Sequence, residues 1–172
     1  MRLMSRAALV LAATLFAAPA LQAQASFSIA GGAAIPMGTT ADGLKTGYNI
    51  TAGVGIKPPL APLGLRIEGM LNQMDFKASA FGSTRLLAGV ANVTLSGVAM
   101  PMGYLIGGLG MYNVATPDVT GSQSATKLGF NVGAGLSFPL TGFSTFAEVR
   151  FHLVTTENES MKFVPITFGL KF

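Results

Sequence analysis

The sequence contains no cysteine and no tryptophan, and only 10% of its 172 residues are charged. Without cysteine there is no disulfide framework and no thiolate metal site. The shortage of charge excludes an ordinary water-facing surface, because a soluble domain carries about 25% charged residues. Histidine is nearly absent too, His152 being the single one. A zinc site takes about three or four protein ligands, and one His without any Cys does not supply them, so no metal or other cofactor is expected. Basic clusters are also missing. Eleven Lys and Arg stand against seven Asp and Glu, and without Arg2 and Arg6 the surplus is two. No run of cations is dense enough to neutralise successive phosphates, so nucleic acid is not an expected partner.

What is present is apolar and rich in glycine: 50% hydrophobic residues and 22 Gly. Arg2 and Arg6 precede an apolar run over 7–18, Pro19 follows, and Ala23-Gln24-Ala25 forms a small-x-small site. That is the pattern of a secretory signal peptide, and the run is too short to span a membrane as a helix. Residues 1–25 are therefore expected to be a cleaved leader, with 26–172 as one domain.

That domain reads in twos. Leu128, Phe130, Val132, Ala134, Leu136 and Phe138 alternate with Gly129, Asn131, Gly133, Gly135 and Ser137. Tyr48, Ile50, Ala52, Val54 and Ile56 alternate in the same way with Asn49, Thr51, Gly53, Gly55 and Lys57. A period of two marks a strand with one apolar face. Eight such segments are predicted: 26–38, 47–58, 63–77, 84–97, 103–115, 127–139, 143–156 and 162–172. In 103–115 the glycines Gly107, Gly108 and Gly110 blur the register. The connections alternate between long and short, with 116–126 as the longest and most polar, as in outer-membrane barrels.

Two other architectures fit less well. No charged residue occurs between Arg85 and Asp118, a stretch that a helical membrane protein would also contain. On a helix, however, Asn92, Thr94 and Ser96 would scatter around every face, whereas a strand collects them on one. A soluble, lipocalin-like binder would turn its polar face to water, but here that face has too few charges. Lipid outside a closed sheet satisfies both constraints, since hydrocarbon requires all backbone groups to be paired internally. Phe27, Tyr48, Tyr104, Phe138, Phe143 and Phe172 fall near strand ends, where an interfacial aromatic girdle is expected.

The closing run FVPITFGLKF, residues 163–172, resembles the last strand of small outer-membrane β-barrels of the OmpA-like and opacity-like kind. GYLIGGLGMY over 103–112 and FAEVRF over 146–151 are similar to strands of that family. The resemblance extends over the whole domain as a pattern. It departs where the family often has Gly five residues before the end, which here is Thr167. It implies an all-β, eight-stranded antiparallel up-and-down transmembrane barrel in the outer membrane of a Gram-negative-type bacterium, exported through the periplasm. It also implies that Phe168, Leu170 and Phe172 form a signal read by the barrel-assembly machinery. Outer-membrane lipid and lipopolysaccharide are then the surroundings, with a surface partner for the loops and a monomeric state. A fold of this type does not specify its function.

Alternation turns Arg66 and Glu68 inward from 63–77, and Glu148, Arg150 and His152 inward from 143–156. In a narrow barrel these charges are expected to meet across the lumen as a network, with Arg66 or Arg150 paired to Glu68 or Glu148. They would plug the barrel or, in a narrow porin-like channel, line a path for small solutes. A lipid-modifying enzyme of the lipid A deacylase kind would need a lipid-facing His–Ser pair, but His152 faces inward, so no catalytic residue is assigned. Ser124-Ala-Thr-Lys127 matches an acyl-enzyme motif without the helix that its chemistry needs. Gly53-Val-Gly55 and Gly133-Ala-Gly135 are strand glycines with no helix after them, and so not phosphate loops. Asp42, Asp118, Glu157 and Glu159 are expected in solvated external loops.

Overall fold

The computed structural model describes residues 24–58, 61–78, 82–97, 101–118, 121–155 and 160–172. Residues 1–23 of the predicted leader lie outside them, as do Glu157 and Glu159. Eight strands follow in chain order: β1 (Gln24–Met37), β2 (Gly47–Lys57), β3 (Leu63–Asp75), β4 (Ser83–Ser96), β5 (Gly103–Asp118), β6 (Gly121–Pro139), β7 (Ser144–Val154) and β8 (Met161–Lys171). A short helix, α1 (Thr39–Gly43), interrupts the first connection and holds Asp42. Each strand pairs antiparallel with the next, and β8 closes on β1 through pairs from Ser28↔Lys171 to Met37↔Lys162. Closure leaves no unpaired sheet edge around the barrel wall. The start of β1, with its pairs Gln24↔Lys57 and Ala25↔Ile56, lies ahead of the expected cleavage point.

The alternation sorts side chains to the two faces as its period requires. Ile67, Leu109 and Leu128 point outward and are 63%, 72% and 71% exposed, and Ile50, Val54, Leu65, Leu87 and Val132 join them. This outer belt is apolar, the inverse of a lipocalin-like surface. Residues between Arg85 and Asp118 form β4, a short connection and β5. Among the described residues no helix is long and apolar enough to cross a membrane.

The structure departs from the sequence-based expectations in three places. The stretch 116–126 is not a loop: β5 and β6 stay paired down to Asp118↔Gly121. Pairing of β5 with β4 ends at Ala115, and that of β6 with β7 at Gly129. The tip of the β5–β6 hairpin therefore stands beyond its neighbours as a two-stranded ribbon. The sequence of 116–126 is mostly polar, so hydrophobic period gives no signal there, and the ladder hydrogen bonds mark the strands instead. Tyr104 does not belong to the aromatic girdle but points into the lumen. The register supplies the reason: Asn92↔Gly108 and Gly108↔Asn131 place the even-numbered residues of β5 inside.

The third concerns the inner face, where the alternation of apolar with small and polar positions leaves no large apolar side chains, yet the structure has them. Met70, Leu86, Ala88, Val90, Tyr112, Val154 and Phe163 form one buried apolar cluster. Ala34, Leu44 and Met74 form a second, with Phe76 packed against it. Leu44 follows α1 and bridges to Phe76, so the first connection folds over the end of the barrel away from the chain termini. Both apolar layers lie toward that far end. The charged layer lies nearer the end where Phe27 and Phe172 exchange backbone hydrogen bonds.

Candidate functional site

The four charges of the candidate network come from β3 and β7, strands that are not neighbours in the sheet, and they meet across the lumen. Arg66 Nη2 lies 2.5 Å from Glu148 Oε2, and Arg150 Nη1 lies 2.6 Å from Glu68 Oε2. Arg66 Nε is 3.2 Å from Glu68 Oε1 and Arg150 Nε is 2.7 Å from Glu148 Oε1. These last two are charge contacts without hydrogen-bond alignment. Each arginine thus touches both carboxylates, forming a closed and formally neutral ring. The side chains of Glu68, Glu148 and Arg150 are almost fully buried.

Burying ions costs several kcal/mol each unless geometry and further hydrogen bonds offset the loss of water. Further bonds are present. Tyr104 donates its hydroxyl to Glu148 Oε2 at 2.7 Å. Asn92 Nδ2 donates to Glu68 Oε2 at 2.7 Å, and Asn131 Nδ2 donates to Asn92 Oδ1 at 2.9 Å. Arg66 also lies 6.0 Å from the ring centroids of Tyr104 and Phe146. Tyr104, Asn92, Asn131 and Phe146 are site residues that the sequence reading missed. An inward Asn in a strand gives no distinctive signal.

One sequence signal for the ring was available. Each member faces a glycine across the sheet: Gly55↔Arg66, Gly53↔Glu68, Gly135↔Glu148 and Gly133↔Arg150. A Cβ at Gly53 would crowd Glu68 Cγ, one at Gly133 would crowd Cα and Cγ of Arg150, and one at Gly135 would fall on the Tyr104 ring. The two Gly-x-Gly pairs thus leave room for long side chains to lean across a narrow lumen. Charged-x-charged opposite Gly-x-Gly is a pattern that can be searched for.

His152 does not join the ring. Its Nδ1 lies 2.9 Å from the Tyr112 hydroxyl and its imidazole stacks on Phe163 at 4.9 Å between centroids. Its Nε2 has no hydrogen-bond partner among the described residues. Among the described residues no group of three or more His, Cys, Asp or Glu is placed to hold a metal ion. Phe168, Leu170 and Phe172 all point outward from the last strand, away from the ring. Ser124 and Lys127 lie on the strand β6, without the helical stacking that acyl-enzyme chemistry requires.

The family model for the outer membrane protein beta-barrel domain matches residues 8–172. No curated protein matches the chain in sequence. Among solved structures, the chain is similar to Neisserial surface protein A, with 13% identity and a TM-score of 0.70 over 87% of this chain and 97% of that one. It is similar to Ail, the attachment invasion locus protein of Yersinia pestis, with 18% identity and a TM-score of 0.54 over 88% of this chain and 99% of that one. A major outer membrane protein from Thermus thermophilus has 12% identity and a TM-score of 0.56 over 86% of this chain and 98% of that one. At these identities the likeness is one of fold.

Proposed function

Because the chain belongs to the family of outer membrane protein β-barrel domains, we propose that it is a barrel closed to solutes, with a structural or surface-interaction role exerted through its external end and no catalytic activity. The observation that carries this reading is the stacking of two barriers inside one narrow lumen. The ring of Arg66, Glu68, Glu148 and Arg150 forms the first. The apolar layer around Met70, Leu86, Tyr112 and Phe163 forms the second. A hydrated ion would have to strip its water at both.

With the lumen blocked at these two levels, the surface role falls to the outside. Family membership fits a place in the bacterial outer membrane, and export through the periplasm is the route proposed for reaching it. The apolar belt fits lipid and lipopolysaccharide, and the outward Phe168, Leu170 and Phe172 fit a strand handed over by the barrel-assembly machinery. A closed sheet with no free wall edge suits a monomer. The far end offers α1 and the projecting β5–β6 ribbon as contact surfaces. The similar Ail is named the attachment invasion locus protein of Yersinia pestis, and attachment is the kind of role such a ribbon suits.

Planar-bilayer conductance tests the reading. The refolded protein is expected to give no reproducible single-channel events. A stable open pore would overturn the closed-barrel account in favour of a narrow porin-like channel.

A further inference from the structure

Between the charge ring and the end that carries the chain termini, the lumen opens into a cavity of about 280 Å³. Its wall holds three cations, Lys57, Arg66 and Lys171, and hydroxyls that include Ser26, Thr94 and Ser144. Among the described residues no Asp or Glu lines it. Arg66 is matched by Glu68 and Glu148, but among the described residues neither Lys57 nor Lys171 makes an ion pair. The other acids of the described chain, Asp42, Asp75 and Asp118, belong to the opposite end.

The placing of the two lysines is the informative part. Lys57 continues the inward series Asn49, Thr51, Gly53 and Gly55, and Lys171 continues the inward series Phe163, Pro165, Thr167 and Gly169. Lys171 stands between Ser28 and Ser144 in the sheet. A lysine serving only the membrane surface would sit at an outward position and extend toward the headgroups. These two instead line one concavity together with Arg66. Like charges around a cavity walled by low-dielectric protein repel and focus a positive field, which an anion would relieve.

We propose that this vestibule binds a phosphate-type oxyanion, with Lys57 and Lys171 as charge partners and the surrounding hydroxyls as neutral donors. The cavity admits one phosphoryl group, either as free phosphate or as the head of a lipid in the adjoining leaflet. The site is separate from the external surface and does not depend on the role proposed for it.

The test uses isotope-labelled, refolded protein in octyl glucoside, in a chloride buffer free of phosphate, with inorganic phosphate titrated in. Amide signals of Ser26, Thr94 and Ser144 are expected to shift and saturate. In the variant carrying Lys57→Gln and Lys171→Gln, which should keep the folded gel mobility, affinity is expected to fall more than about tenfold, as for loss of charged hydrogen bonds. A parallel set of nanodiscs compares phosphatidylglycerol with phosphatidylcholine alone. Shifts on free phosphate that are unaffected by phosphatidylglycerol identify a soluble anion, and shifts induced by phosphatidylglycerol that blunt the phosphate response identify a headgroup. No saturable shift in either set, or an equal response in the folded double variant, overturns the proposal.

Discussion

Replacing Glu148 alone with Gln is expected to lower the unfolding free energy by about 3–5 kcal/mol, the usual cost of leaving a buried charge without its partner. Glu148 touches both Arg66 and Arg150 and accepts from Tyr104. E148Q leaves two guanidinium groups facing a single carboxylate among largely buried side chains. Replacing Arg66 with Gln in the same chain removes the surplus cation. It also leaves the Arg150–Glu68 pair intact, with Asn92 still donating to Glu68. The double variant should therefore be more stable than E148Q alone, an interaction that only directly coupled residues give. Urea unfolding of the reconstituted barrel, followed by its heat-modifiable gel mobility, measures both. Equal losses for the single and double variants would mean that the ring is not a coupled unit.

The second large effect is expected on the outside. Leu109 lies midway along the barrel portion of β5 and is 72% exposed. In water, replacing so exposed a residue with Arg changes stability by no more than about 0.5 kcal/mol. In a bilayer the same L109R change puts a cation near the hydrocarbon midplane and should cost about 2–4 kcal/mol. An Arg placed at Thr155, beyond the end of β7, should cost much less. Unfolding in liposomes separates these outcomes, and an L109R protein as stable as its parent would remove lipid from that face.

The parts of this architecture that were legible in the sequence are those governed by a period of two. The outward rows of β2 and β6 are unambiguous because most of their alternate positions hold Gly, Asn, Thr and Ser. Inward orientation of Arg66, Glu68, Glu148 and Arg150 follows from the same parity. Which arginine meets which carboxylate does not, because that depends on the stagger of strands three and seven around the barrel. Leu86-Leu87 and Met70-Leu71 show the other limit: both faces are apolar, so composition cannot tell lumen from lipid, and the inner apolar layers were hidden. Tyr104 was misplaced because Gly107, Gly108 and Gly110 erase the parity of β5, which only its pairing with β4 and β6 restores. The ribbon that ends at Asp118↔Gly121 is polar in sequence and is marked by its backbone ladder, which no hydrophobic period reports.

The chain has no cysteine, so single cysteines can carry a nitroxide label without background. Labels at Leu87, Gly89, Ala91 and Val93, successive outward positions of β4, should collide freely with oxygen in the bilayer. A water-soluble nickel complex should barely reach them, yet reach a label at Asp42 readily. If the nickel complex reaches Gly89 and Ala91 as easily as Asp42, water rather than lipid covers the outer face, and the barrel described here is not a membrane-spanning one.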